Sequence, residues 1–310
     1  MGRYMGRRGF PRVVPAAILR EPRSSPLPRA ETMSIPATSR HLDINGTTLW
    51  VEDTGGEGVP VLFAHGLLMS CRMFDAQVAA LRGRYRCISW DHRGQGQSAP
   101  GTGRAVSIEQ VTDDALALIR ALGLPAAHFV GLSMGGFVGM RLAARHPALL
   151  RALVLLDTSA DPEPAENLPR YRLLNVVARW FGLRAVAGRV MPILFGRTFL
   201  ADPARAEERT LWRTRLVGNA RGIYRAVNGV IERAGVADTL ARITCPTLVL
   251  VGEEDVATVP AKSERIRDLI AGAELVRIPQ AGHSASVEQP AAVTAALEAF
   301  LHRVDGAAPR

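Results

Sequence analysis

The feature that most constrains this chain is a repeated alternation of short apolar runs with amphipathic helical segments. The apolar runs are "VPVLFAHG" from Val59, "YRCISWDHRGQGQS" from Tyr85, "AHFVGLSMGG" from Ala127, "RALVLLD" from Arg151, "PTLVLVGEED" from Pro246 and "AELVRIPQAGH" from Ala273. Between and after them lie stretches of helical period, "SIEQVTDDALALIRALGL", "FVGMRLAARHP", "VPAKSERIRDLI" and "QPAAVTAALEAFL". Runs that are apolar at successive positions are buried on both faces, so the alternation predicts a mostly parallel sheet with helices on both sides. "RHLDIN" and "TLWVED" around Gly46 predict an opening hairpin. Ser107 and Gln110 are spaced for a capping box at the start of one helix, and Gly123 for its stop.

The alternation is broken once. From Asp157 to about Ala241 leucine-, arginine- and aromatic-rich helical segments replace it, which predicts an inserted helical cap over 159–237 and an α/β core made of 36–158 and 238–305. Within the cap, "RYRLLNVVARWFGLRAVAGRVMPILFG" is basic and amphipathic. That pattern is compatible with a membrane-surface helix, but a cap helix that packs its apolar face over a pocket is the simpler reading. Trp180, Phe181, Met191, Phe195, Phe199, Trp212 and Tyr224 are the candidates to line that pocket, more of them as core than as contacts. Arg170, Arg172, Arg179 and Arg184 are the candidates to pair with a substrate carboxylate, although most cap arginines are expected to be solvated.

Charge and cysteine content exclude several functions. The formal net charge is +9, but seven arginines against Glu21 and Glu31 place +5 of it before Met33. The remainder is modest and scattered, which argues against a nucleic-acid binder. Residues 1–35 are Pro- and Arg-rich without periodicity and read as a disordered extension, with Met33 a plausible start. "RRGF" resembles a twin-arginine signal, yet the apolar stretch after it is short and broken by Pro15, so export is disfavoured. No apolar run reaches the roughly 18 residues of a membrane span. Cys71, Cys87 and Cys245 are odd in number and lack paired metal spacing, which points to reduced thiols, a cytoplasmic protein and no metal.

The chemistry concentrates at "HFVGLSMGGFVGM" (His128 to Met140). A chain that leaves a buried strand and at once enters a helix bends so sharply that the apex residue takes a strained, positive-φ conformation. Gly131 and Gly135 remove the Cβ atoms that would collide across the bend, and leave Ser133 exposed at the apex as in a nucleophile elbow. Met134 opens the helix, so its N–H is a free donor beside the serine. A serine hydroxyl needs a base to take its proton and an acid to orient that base. Asp255 and His283 each follow a predicted strand, so the topology carries both to the sheet edge where Ser133 stands. Asp157, at the end of the strand after the elbow helix, is the competing carboxylate, and Asp255 is preferred. In "FAHGLLMS" the Leu67 N–H, after His65 and Gly66, is the candidate second oxyanion donor.

From about Arg40 to Val304 the chain resembles the α/β-hydrolase superfamily. His65-Gly66, "DHRGQGQS", "GLSMGG", "GEED" and "AGH" carry the resemblance, in order and with family-like separations. It implies the α/β-hydrolase fold, Ser133 as nucleophile, His283 as base and then acid, Asp255 as orienting carboxylate, and Asp91 and Arg93 as scaffold. It also implies a small apolar ester or lactone as partner, with no cofactor; a homodimer stays open. Serine at the elbow, where haloalkane dehalogenases and epoxide hydrolases carry aspartate, argues against both activities. "HGLLMS" differs from the "HGxGPG" loop of the meta-cleavage carbon–carbon bond hydrolases, which argues against those. The sequence looks similar to 3-oxoadipate enol-lactonases, small carboxylesterases and cofactor-free haloperoxidase-like perhydrolases. Ester or lactone hydrolysis through an acyl-enzyme is therefore the leading expectation, with perhydrolysis or carbon–carbon bond hydrolysis on the same scaffold the alternatives; an intact triad disfavours a non-catalytic binding protein.

Overall fold

The computed structural model describes residues 38–307; the N-terminal extension read from the sequence lies outside them. Eight strands, β1 (Thr38–Ile44), β2 (Thr47–Asp53), β3 (Pro60–Ala64), β4 (Arg86–Trp90), β5 (Ala127–Leu132), β6 (Leu150–Leu156), β7 (Thr247–Gly252) and β8 (Glu274–Ile278), form one sheet in the order β1-β2-β4-β3-β5-β6-β7-β8. β1 and β2 form the predicted hairpin, its turn at Asn45 and Gly46, both at positive φ. β2 also runs antiparallel to β4, and every later pairing is parallel.

Side chains alternate across this sheet with the strand period of two. Val61, Phe63, Val130 and Leu132 point into one core, shared with α1 (Asp75–Leu81) and with Val293, Leu297, Phe300 and Leu301. Leu62, Ala64 and Phe129 point into the other, shared with α2 (Ile108–Ala121) and α3 (Met134–Arg145). α2 begins at the expected capping box: the Ser107 hydroxyl accepts from the Gln110 N–H while Gln110 Oε1 accepts from the Ser107 N–H.

Between β6 and β7 the chain makes five α-helices, α4 (Leu168–Phe181), α5 (Ala187–Leu194), α6 (Arg197–Ala201), α7 (Ala206–Val217) and α8 (Tyr224–Ile231), with short 3-10 turns among them. After β7 come α9 (Pro260–Leu269), α10 (Ala285–Glu288) and α11 (Pro290–Ala307). β3 lies between β4 and β5, so the chain runs outward from β3 in one direction and then returns to its other side. At such a reversal the loops after neighbouring strands part and leave a crevice at the carboxyl edge. The loops after β3 and β5 flank it.

Candidate active site

Ser133 sits between β5 and α3 at φ 51° and ψ −108°, a conformation that costs a non-glycine residue energy and persists only where its surroundings fix it. Two hydrogen bonds do so: its N–H donates to the Leu156 carbonyl (2.9 Å), and its carbonyl accepts from Thr158 Oγ1 (2.8 Å). Glycine is required on both sides. A Cβ on Gly131 would lie 2.3 Å from the Gly135 carbonyl oxygen, and one on Gly135 would lie 2.0 Å from that of Ala64.

The loops after β7 and β8 bring Asp255 and His283 to this serine. His283 Nδ1 donates to Asp255 Oδ2 (2.9 Å), which leaves Nε2 to accept from the Ser133 hydroxyl (2.9 Å). Asp255 is held in turn by the N–H groups of Ala257 (2.8 Å) and Thr258 (2.9 Å) and by the Thr258 hydroxyl (2.8 Å). Burial alone would push the imidazole down, but Asp255, with Asp157 and Glu288 behind it, outweighs burial and holds His283 above the ordinary histidine value.

Asp157 makes no hydrogen bond to the imidazole. Its Oδ1 accepts from the Gly252 N–H (2.8 Å) and its Oδ2 from the Ala285 N–H (3.3 Å), tying together the segments that carry Asp255 and His283. Full burial and the neighbouring Asp255 push its carboxyl well up.

On the other side of the crevice, the loop after β3 is cross-braced. His65 Nε2 accepts from the His92 N–H (2.9 Å), so its proton is on Nδ1, which donates to the Gly66 carbonyl (2.7 Å); burial, against the nearby Asp91, holds this histidine down. Leu68 is at φ 67°, its N–H donating to Gln95 Oε1 (2.8 Å) and its carbonyl accepting from Asn219 Nδ2 (3.0 Å). Neither the Leu67 N–H nor the Met134 N–H has an acceptor among the described residues, and both flank Ser133 in sequence or across the crevice. Asp91 accepts from the Cys71 and Gln97 N–H groups, each at 2.8 Å, and Arg93 pairs with Asp114; these are scaffold contacts.

Above Ser133 and His283 lies a cavity of about 130 Å³, lined mainly by aliphatic side chains such as Leu174, Val186, Val190, Leu194 and Val227. None of the seven cap residues expected to line it does so. Phe195, Phe199 and Trp212 pack on one another in the core, and Trp180 and Phe181 face solvent. Nor do Arg170, Arg172, Arg179 or Arg184 reach it. The cavity's arginine is Arg233, its Nη1 donating to Glu163 Oε2 (2.9 Å), with both side chains nearly out of solvent.

Two further carboxylates escape a sequence reading. Glu288 accepts from the N–H groups of Gly196, Gly282 and Ser284 and so joins the cap to the His283 loop. Glu254, next to Asp255, accepts from the Thr198 N–H and hydroxyl at the start of α6. Their neighbours in sequence give no hint of the cap partners, Gly196 for Glu288 and Thr198 for Glu254. Among the described residues no group of three or more His, Cys, Asp or Glu side chains is placed to hold a metal ion.

A serine at a strained strand-to-helix turn, linked to a histidine and a carboxylate under an apolar cavity, defines a serine hydrolase on a doubly wound sheet. The model of the alpha/beta hydrolase family matches residues 61–297, and the chain belongs to that family. It is 30% identical over 243 residues to 3-oxoadipate enol-lactonase 2 of Acinetobacter baylyi, covering 78% of this chain and 88% of that protein. The enol-lactonase of Burkholderia xenovorans LB400 superposes with a TM-score of 0.79 at 30% identity, covering 85% of this chain and 100% of that one. A thermophilic esterase from Thermogutta terrifontis superposes with a TM-score of 0.78 at 32% identity, covering 86% and 99%.

Proposed function

We propose that this protein hydrolyses a carboxylic ester or lactone of a small apolar substrate, with Ser133 as nucleophile, His283 as general base and then acid, and Asp255 as the orienting carboxylate. The observation that carries this reading is the unbroken line from Asp255 through His283 to Ser133, 2.9 Å at each step, ending beneath an apolar cavity.

In the first half-reaction Ser133 Oγ attacks the substrate carbonyl as its proton passes to His283 Nε2. The Leu67 and Met134 N–H groups donate to the oxyanion that forms. The imidazolium, stabilised by Asp255, returns the proton to the departing alcohol oxygen as the carbon–oxygen bond breaks, leaving an ester on Ser133. In a lactone that oxygen stays tethered to the acyl chain. Water, deprotonated by His283, then attacks the acyl-enzyme, and the proton returns to Ser133 Oγ as the acid leaves.

The related enol-lactonases and esterase support this substrate class. A cytoplasmic location is part of the same reading and is supported by three free cysteines, two of them buried. The test is labelling by a fluorophosphonate, with turnover of p-nitrophenyl esters and of lactones, in the wild type and in Ser133→Ala. Labelling should vanish in the variant, and kcat should fall about 10⁶-fold, as for loss of a serine nucleophile elsewhere. A wild type that neither labels nor turns over these substrates would overturn the proposal. Preferential turnover of acetate with hydrogen peroxide would replace it by perhydrolysis.

A further inference from the structure

Helix α4 is apolar on two opposite sides. At about 100° per residue, Tyr171, Leu174, Asn175 and Ala178 share one side, and all four line the cavity. Leu173, Val176 and Trp180 share the opposite side within about 60° of one another, and they are 61%, 53% and 65% exposed. Phe181 ends the helix at 74% exposure. The inner face is accounted for by the cavity, whereas the outer one has no partner among the described residues. Four large exposed apolar side chains on one helix are a cluster of the kind that marks an interaction surface, unlike apolar residues scattered singly.

Charge identifies the partner. From Asn167 to Ala201 the chain holds six arginines and no acidic residue. Of these, only Arg197 forms an ion pair among the described residues. Arg172 and Arg179 border the outer stripe on one flank and Arg170 on the other, all exposed, and Arg184 lies just beyond the helix end. Arg179 stacks on Trp180 (5.5 Å) and Tyr224 (4.7 Å), which holds a cation against the indole. A second copy of this chain fits poorly. Two such helices meeting across a two-fold axis would bring arginines against arginines with no carboxylate in either helix. An apolar stripe of Leu173, Val176 and Trp180, with Phe181 exposed at the helix end and arginines without ion-pair partners on both flanks, matches a bilayer surface: the apolar side chains enter the acyl boundary while the guanidinium groups meet phosphate.

We propose that the outer face of α4 is a peripheral docking surface for a bilayer that contains anionic lipid. The helix lies along the surface and does not cross it, in keeping with the absence of any membrane-crossing helix among the described residues. Because the opposite face of the same helix lines the cavity, docking sets the cap wall of the cavity against the lipid boundary.

The experiment is sedimentation of the full-length protein with vesicles of phosphatidylcholine alone and of equimolar phosphatidylcholine and phosphatidylglycerol, at low and raised salt, with tryptophan emission recorded on the same samples. The wild type should bind the anionic vesicles, release with salt, and shift its emission to the blue. The triple variant Leu173→Gln/Val176→Gln/Trp180→Gln should bind at least about tenfold more weakly and lose the blue shift. Arg170→Gln/Arg172→Gln should weaken binding by about thirtyfold at low salt. None of these five residues lines the cavity, so both variants should hydrolyse a soluble p-nitrophenyl acetate at the wild-type rate, which also shows that they fold. Failure of the wild type to bind anionic vesicles at low salt overturns the proposal. So does binding unchanged in the triple variant, which would assign the affinity to the basic N-terminal segment. A wild-type dimer in sedimentation velocity that the triple variant dissociates would give the stripe to a second copy instead.

Discussion

Asp157 and Asp255 are both buried and both stand near His283, yet their contacts differ. Asp255 accepts the imidazole N–H, whereas Asp157 accepts only backbone N–H groups. Asp255→Asn is therefore expected to lower kcat about 10⁴-fold, the loss seen when a triad carboxylate is made neutral and the tautomer is lost. Asp157→Asn should keep activity within about tenfold of the wild type, the scale of one hydrogen bond. The pH profile carries a second sign. The base must be neutral to act, so kcat/KM should rise with pH through an inflection above the ordinary histidine value, because His283 is held up by Asp255 against its burial. In Asp255→Asn that support is gone while burial remains, so the inflection should move down; an inflection that stays put would show that Asp255 does not set it. Ser133, Asp255 and His283 were each legible because each follows a strand, and a parallel sheet carries such positions to one edge. Gln95, Asn219 and the reach of Glu288 to Gly196 were not, since each of these bonds goes to backbone far away in the chain and nothing in the residue's own surroundings marks it.

At the scale of elements, the strands and the helices that flank the sheet could be read because burial on both faces and end signals coincide. α2 starts at a capping box and α9 at Pro260. In contrast α5, α6 and α8 begin without a side-chain cap, so the sequence shows helical character there without showing where one helix yields to the next. The cap aromatics misled for a related reason. Amphipathic period tells that a side is apolar but not which of two apolar sides, core or cavity, it meets. One contact between elements has a direct functional reading: Asn219, in the turn after α7, reaches from the cap to the Leu68 carbonyl and helps to hold that residue at positive φ next to Leu67. Asn219→Ala should lower kcat by about tenfold, one neutral hydrogen bond, with KM within about twofold, because in the proposed mechanism the loop it steadies serves the oxyanion more than the bound substrate. A change confined to KM would mean that Asn219 shapes the cavity and leaves the loop as it was. Asn219→Asp, which lacks the donor, should behave like the alanine variant.

For the whole molecule, the cavity joins segments from nearly the entire described chain, from Leu67 to His283, and places a buried ion pair in its wall. Its wall contains the Glu163–Arg233 pair, with side chains 9% and 4% exposed. Arg233 is further fixed by donating to the Val230 carbonyl (2.9 Å) and by lying 4.3 Å over the Phe137 ring. Desolvation lowers Arg233 from its usual value even with Glu163 beside it, as expected where taking two charges from water offsets most of their attraction. Such a pair adds little net stability, but neither member can be removed alone. Arg233→Met keeps the stem against Phe137 and leaves Glu163 without its cation, so it should lower the unfolding free energy by about 3–5 kcal/mol. Glu163→Gln/Arg233→Met removes both charges and should recover to within about 1 kcal/mol of the wild type, read from urea midpoints at unchanged slope. The coupling between the two substitutions, taken from the double-mutant cycle with Glu163→Gln, is the deciding quantity. If the single and double variants are equally destabilised, Arg233 contributes through packing over Phe137 and the Val230 carbonyl, and the cavity wall does not depend on the charge of Glu163.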